Sequence, residues 1–286
     1  MLISLKMTKI ADNFEVKLGE EISICVPRGN LKTKGIFVGD YVEVNDKIIE
    51  QIYERKNLLI RPPLANLDQM IIVISSIPKP DFYIVDKLIL FAYCYGIEPI
   101  VVVNKQDLSK EQNEYVCKTY SKFMKVIFVS AKSGENISEI KDVLKGKLSC
   151  FAGQSAVGKS ALINKICTKY DAQEGELSEK INRGKNTTRH SQIYIENDIM
   201  IADTSGFTSL DETLLPIASY ELPYYYKDYN EHKQECKYTS CMHIGEPVCD
   251  CKVKQLVKDG ILDKERYLRY KTIYKILEEK WVKTHG

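Results

Sequence analysis

The chain has 286 residues, 44% of them hydrophobic and 28% charged, an ordinary balance for a folded globular protein that argues against dominant disorder. Lysine and arginine outnumber the acidic residues by only 41 to 39, so net charge by itself announces no nucleic-acid binder. No apolar run approaches the ~18 residues of a membrane span, residues 1–10 lack a secretory pattern, and nine cysteines, an odd number without an export signal, argue against a disulfide framework.

At roughly 150 residues per domain the length predicts about two domains, with three small ones possible. Residues 1–63 carry short β-type runs at Glu21–Val26, Gly35–Val38, Tyr41–Val44 and Leu58–Ile60, separated by Arg28-Gly29-Asn30 and Val38-Gly39-Asp40. Such spacing predicts a five-stranded OB-type barrel. Arg61-Pro62-Pro63 closes this stretch, the prolines being expected to stop any strand or helix.

Residues 64–222 alternate strand and helix signals. The apolar runs Gln69–Ile74, Pro99–Val103, Val126–Val129 and Leu148–Ala152 predict buried parallel strands. Amphipathic stretches at Asp81–Tyr95, Ser109–Lys125 and Asn136–Leu144 predict the helices of an α/β domain. Gln192–Ile195 and Ile199–Ala202, joined by Asn197-Asp198, predict a hairpin and one antiparallel edge. Residues 223–286 hold four cysteines within sixteen residues and then a helical pattern over Lys264–Lys283. The three stretches carry net charges of +1, −2 and +3.

Gly153-Gln154-Ser155-Ala156-Val157-Gly158-Lys159-Ser160 matches G-x-x-x-x-G-K-[ST] between the strand Leu148–Ala152 and an apolar helix over Ala161–Cys167. That context is what a phosphate-binding loop requires. Backbone N–H groups and the helix dipole attract phosphate, Lys159 neutralises the β and γ oxygens, and Ser160 ligates Mg²⁺. Asn104-Lys105-Gln106-Asp107 follows the strand Pro99–Val103 and is similar to the N-K-x-D guanine motif. Asp107 can accept from guanine N1–H and N2–H₂, a donor pair that adenine lacks, which disfavours an ATPase. Asn104 would tie this loop to the phosphate loop, and the Lys105 stem would cover the purine. Ser130-Ala131-Lys132 resembles the S-A-K motif that meets guanine O6, and Asp203-Thr204-Ser205-Gly206 resembles D-x-x-G, with Asp203 on Mg²⁺ through water and Gly206 sensing the γ-phosphate. Thr187 or Thr188 would supply a second Mg²⁺ oxygen.

Ordinary GTPases run from phosphate loop to D-x-x-G to N-K-x-D to S-A-K. Here the last two come first, so the predicted domain is circularly permuted. The segment after Gly206 leads into the C-terminal part, which could therefore read out nucleotide state.

Cys236, Cys241, His243 and Cys249 make a closed Cys₃His set suited to structural Zn²⁺, with Cys251 a competitor for Cys249. The aromatic and basic stripe of Lys264–Lys283 reads either as an RNA-facing surface or, as is commoner, as the buried face of a helix.

Together these features resemble the ribosome small-subunit-dependent GTPase A family. The similarity extends to Arg55-Lys56-Asn57 through Arg61-Pro62-Pro63, to Ala65-Asn66-Leu67-Asp68-Gln69, and to Glu246-Pro247 within the cysteine cluster. It implies an N-terminal OB barrel, a circularly permuted P-loop GTPase and a C-terminal zinc-binding helical domain. It further implies GTP and GDP as ligands, and the small ribosomal subunit and its ribosomal RNA as stimulating partners. The expected protein is monomeric and cytoplasmic, with no membrane partner. Two positions depart from the family pattern: Ser205 stands where D-T-P-G has proline, and Asn186 stands where a histidine precedes the paired threonines. A catalytic role carried by that histidine does not transfer to this chain. Phe207 occupies the position where many GTPases place a water-orienting Gln, which predicts slow intrinsic hydrolysis and help from a partner. Two other readings are an RNA-binding scaffold that holds nucleotide without needing turnover, and a permuted GTPase of large-subunit assembly. The barrel combined with the Cys₃His site argues against the latter.

Overall fold

The computed structural model describes residues 5–10, 14–18, 21–29, 31, 35–168, 192–203 and 215–285. Five strands, β1 (Leu5–Ile10), β2 (Phe14–Leu18), β3 (Glu21–Pro27), β4 (Tyr41–Asn45) and β5 (Ile48–Ile52), form the N-terminal barrel. Their order is β1-β2-β3-β5-β4, and pairing of β4 back onto β1 closes it. Met7, Val16, Cys25, Val42 and Ile49 fill the interior. The barrel fold agrees with expectation, and the predicted runs Glu21–Val26 and Tyr41–Val44 are its β3 and β4, but the other strands differ from those predicted. β1 and β2 precede the first predicted run, and Gly35–Val38 forms no strand.

Leu58–Ile60 (β6) lies outside the barrel and pairs with β7 (Pro63–Ala65) across a turn at Arg61 and Pro62. Pro63 therefore opens a strand instead of stopping one, which its missing N–H allows at a first, edge position. This hairpin lies at the junction with the central domain. The Asn57 amide bonds both the N–H and the carbonyl of Leu67 at 2.9 and 2.8 Å. Asn66 accepts from the Lys56 N–H and donates to the Gly39 carbonyl, and Asp68 accepts from the Leu148 N–H. The residues that carried the resemblance at this junction are thus the ones that satisfy its backbone groups.

The central sheet runs β10 (Val126–Phe128), β9 (Glu98–Asn104), β8 (Gln69–Ser75), β11 (Leu148–Ala152), β13 (Ile199–Asp203), β12 (Gln192–Glu196). The first five are parallel, and β12 is the antiparallel edge of the expected hairpin. β12 also pairs with β1, so barrel and central sheet are continuous. Every residue of β8 is buried. Its Met70, Ile72 and Ile74 pack on one face with α1 (Phe82–Cys94). Its Ile71 and Val73 face the other way, toward α3 (Ile137–Leu144) and α4 (Lys159–Ile166). Helix α2 (Lys110–Tyr120) packs on the α1 face through Val116 and Tyr120 and ends before the predicted Lys125.

The C-terminal part contains α5 (Leu222–Tyr225), α6 (Lys227–Asn230), α7 (Lys252–Lys258) and α8 (Lys264–His285). On α8 the positions Arg266, Tyr270, Ile273 and Leu277 are buried, while Leu268 and Trp281 are exposed. The commoner reading of that stripe holds for its main face. The core of α1 continues without a break into Tyr226, Tyr229, Tyr270 and Leu277. Among the described residues no helix is long and apolar enough to cross a membrane.

Candidate nucleotide site and metal centre

The phosphate loop joins β11 to α4, at the carboxyl ends of the parallel strands where ligands of open α/β sheets bind. Two glycines are obligatory there. Gly153 has φ +129° and a Cβ would stand 2.2 Å from the Val73 carbonyl oxygen; Gly158 has φ +91° and a Cβ would stand 2.4 Å from Asn104 Nδ2. Gly158 is also the N-cap of α4, which begins with Lys159 and Ser160. The Lys159 ammonium donates to the carbonyls of Gly153 and Gln154 at 2.9 and 2.6 Å. Burial pushes its pKa down to about 8. Ser155 and Ala156 are exposed, Gln154 and Ser160 half-buried, and Val157 fully buried.

Asn104 is the knot of the site. It is buried at the end of β9, its Nδ2 donates to the Val157 carbonyl at 3.0 Å, and its Oδ1 accepts from the N–H groups of Lys105 and Ala131 at 2.9 and 3.0 Å. One side chain therefore holds all three loops in register. Lys105 adopts φ +58°, and its ammonium donates to the carbonyls of Ile77 and Ala156 at 2.6 and 3.1 Å. Asp107 lies exposed in the short helix Gln106–Leu108. Ser130 is buried, its hydroxyl accepting from the Ser133 N–H, and Lys132 is exposed. Asp203 ends β13, which pairs with β11 through Ala202 and Cys150. The carboxylate thus follows the strand beside the phosphate loop's own. Asp203 and Ser160 are hard oxygen donors of the kind Mg²⁺ takes. Thr187, Thr188 and Gly206, with Asn186, Ser205 and Phe207, lie outside the described residues.

The sequence motifs leave unmarked the loop from Ser75 to Asp81, which reaches this site. Besides Ile77, Asp81 does so: its N–H donates to the Gln154 side-chain oxygen at 2.8 Å. No known spacing marks these residues, because one contributes a carbonyl and the other an N–H.

The metal centre requires one correction. The four donors that converge are Cys236, Cys241, His243 and Cys251, all within 4.8 Å of one another. Cys249 is exposed and does not join them. The cause is local. Val248–Asp250 form a 3₁₀ turn, with the Lys237 N–H bonded to the Asp250 carbonyl, and this turn carries Cys249 outward. Two residues on, Cys251 caps α7 and is buried.

His243 Nδ1 faces the sulfurs of Cys241, Cys251 and Cys236 at 3.3, 3.3 and 3.8 Å. Tetrahedral Zn²⁺, with bonds of about 2.3 Å to sulfur and 2.0 Å to nitrogen, places its donors about 3.3–3.8 Å apart. The residues fit that ion. Burial lowers the His243 pKa to about 4, keeping the imidazole in its ligating, neutral form.

His243 itself has φ +60°, a strained value for this residue that its surroundings enforce. Glu246 accepts from the N–H groups of Met242 and Ile244 at 2.7 and 2.8 Å. Tyr270 and Tyr267 of α8 donate to the carbonyls of Met242 and His243, both at 2.7 Å.

The family model described as "RsgA GTPase" matches residues 52–213, and one described as "50S ribosome-binding GTPase" matches 149–278. A protein of Caldanaerobacter subterraneus subsp. tengcongensis, "Small ribosomal subunit biogenesis GTPase RsgA", is 40% identical over 95% of this chain and 94% of its own. One of the same name from Carboxydothermus hydrogenoformans is 36% identical over 94% and 95%. Among solved structures, YjeQ from Thermotoga maritima superposes with a TM-score of 0.80 at 31% identity, covering 96% of this chain and 97% of that one. YloQ, described as a circularly permuted GTPase, gives 0.78 at 29% identity, covering 98% and 96%.

Proposed function

The chain belongs to the RsgA GTPase family, and from that premise we propose that it hydrolyses GTP in late maturation of the small ribosomal subunit. The observation that carries this reading is the extent of the similarity. Relatives named for small-subunit biogenesis match over nearly the whole chain, barrel and metal module included. The family named for the large subunit matches only residues 149–278, which leaves out the barrel.

In this reading Asp107 accepts from the guanine N1–H and N2–H₂ groups, while Ser130, Ala131 and Lys132 supply the loop that meets O6. Lys105 covers the purine with its stem. Gly153 to Gly158 wrap the phosphates, and Lys159 swings from the Gly153 and Gln154 carbonyls to the β and γ oxygens. Ser160, one of Thr187 and Thr188, and Asp203 through water would hold Mg²⁺, which when bound neutralises charge building on the phosphate oxygens. Gly206 senses the γ-phosphate. Water attacks the γ-phosphorus, and the products are GDP and phosphate. With Phe207 where a water-orienting Gln would stand and Asn186 in place of the family's histidine, turnover of the free protein is slow and the small subunit accelerates it. Cys236, Cys241, His243 and Cys251 would hold a structural Zn²⁺ with no position left for a substrate. Barrel and C-terminal module make the contacts to ribosomal RNA.

The test is GTP turnover with and without purified small ribosomal subunits. Saturable stimulation is expected. Equal turnover with and without subunits would favour a nucleotide-holding scaffold, and stimulation by large subunits alone would move the assignment to that particle. Turnover of several per second by the free protein would overturn the dependence on a partner.

A further inference from the structure

Helix α1 carries a buried carboxylate that the nucleotide chemistry does not use. Asp86 is 1% exposed and faces two arginines of α8. Arg266 bonds one of its oxygens and Arg269 Nε the other. Arg266 also forks onto Asp228 of α6 at 3.0 and 3.1 Å, and the Tyr120 hydroxyl of α2 donates to Asp86 at 3.0 Å. Arg269 reaches the Tyr120 hydroxyl at 3.4 Å and stands 3.9 Å from Asp263. These contacts fasten the C-terminal module to α1 and α2. Separating buried opposite charges strands each of them in a poor dielectric, so α8 cannot shift on α1 without a large cost.

The other end of the same helix is fastened to the phosphate loop. Asp81 caps α1 by accepting from the Tyr83 N–H at 2.9 Å, and its own N–H donates to the Gln154 side chain at 2.8 Å. The Gln154 carbonyl accepts from the Lys159 ammonium at 2.6 Å. From Asp81 to Asp86 is about 7 Å of helix, a stiff connection. An unbroken path therefore runs from Lys159 through Gln154, Asp81 and α1 to Asp86 and α8.

We propose that Asp86 is a positioning residue for the phosphate loop: it seats α1 against α8, and α1 in turn sets where Asp81 holds Gln154. The inference rests on the reading that residues 153–160 grip a guanine nucleotide. Coupling of this kind is reciprocal, so a partner that moves α8 changes the hold on nucleotide, and nucleotide changes the seating of α8.

Release of N-methylanthraniloyl-GDP from the full-length, zinc-loaded protein tests the proposal. Asp86→Asn and Gln154→Ala should each speed release by about 5- to 10-fold, at the low end of typical coupling. The double variant should release no faster than the faster single one, because both changes cut the same path. Arg269→Gln, at the outer edge of the network, serves if Asp86→Asn does not fold, and Arg269→Lys should recover most of the loss. Singles that lower the melting temperature yet release GDP within twofold of the parent would overturn the proposal and leave Asp86 a structural role. Multiplying effects in the double variant would overturn it too. A parent protein that fails to bind the labelled GDP at all would instead overturn the nucleotide reading, and this inference with it.

Discussion

At the phosphate loop side chains turn inward to hold backbone in place, and in the proposed reading it is the backbone that would meet the ligand. At the cysteine cluster the backbone is held so that four side chains converge and would meet the ligand themselves. Asn104 spends its amide on Val157, Lys105 and Ala131, whereas Glu246, Tyr267 and Tyr270 fix the loop that presents His243. The first arrangement stays open and lets a ligand come and go. The second is closed, buried and part of the core shared with α8. A lost residue should therefore weaken binding at the nucleotide site but unfold the module at the metal site.

The largest effect is expected for Cys251→Ser. Structural zinc contributes on the order of 10 kcal/mol to small modules, so this variant should lose its bound zinc by elemental analysis and expose residues 215–285 to protease. Full zinc retention would show that Cys249 can take over and that the centre is less closed than it looks. Next comes Asn104→Ala. It strands one carbonyl and two N–H groups at about 1–3 kcal/mol each, and titration calorimetry should show GDP affinity down by about 100-fold or more with the rest of the fold intact. A change below tenfold would mean that the three loops hold their register without the knot.

A smaller effect follows from Lys159. Phosphate favours the charged amine, so the bound form keeps its proton to higher pH than the free form, whose pKa is about 8. Binding should take up a proton above pH 8, and affinity should be flat below about pH 7 and fall by roughly tenfold by pH 9. Calorimetry in buffers of different ionisation heat reads that uptake directly. Absence of uptake at pH 8.5 would place the ammonium away from the phosphates. The smallest effect belongs to Cys249→Ser, an exposed thiol outside the donor set. It should keep its zinc and stay within about 0.5 kcal/mol of the parent in stability.

Much of the candidate nucleotide site is legible from local pattern. Each motif there is a short loop fixed to the end of a buried strand, and spacing within such a loop follows from backbone geometry alone. Gly158 and Asn104 were readable for that reason, although their mutual contact was not. The hairpin of β12 and β13, the helices over Phe82–Cys94 and Ile137–Leu144, and the permuted order came from the same kind of signal. The first two barrel strands carry a signal outside the predicted runs: Phe14–Leu18 alternates apolar and charged residues as a half-buried strand does. β3 is the strand predicted over Glu21–Val26, yet its pattern does not give the buried face, since Ile22, Ile24 and Val26 point outward and are more than half exposed.

Other features had no local signal. Asp86 stands some 180 residues from Arg266 and Arg269 in the chain, and as single charged residues on amphipathic helices the three read as solvated. Packing of α8 on α1 buries them together. The choice between Cys249 and Cys251 has the same character. Both lie within reach of Cys236, Cys241 and His243 along the chain, and composition ranks neither. The 3₁₀ turn of Val248–Asp250 and the burial of Cys251 in the core shared with α8 choose Cys251. The cysteines, the histidine and their closeness in sequence establish that a Cys₃His set can form. Which sulfur completes it depends on the direction each side chain leaves the backbone, and that direction is set by contacts with parts of the chain that lie far away in sequence.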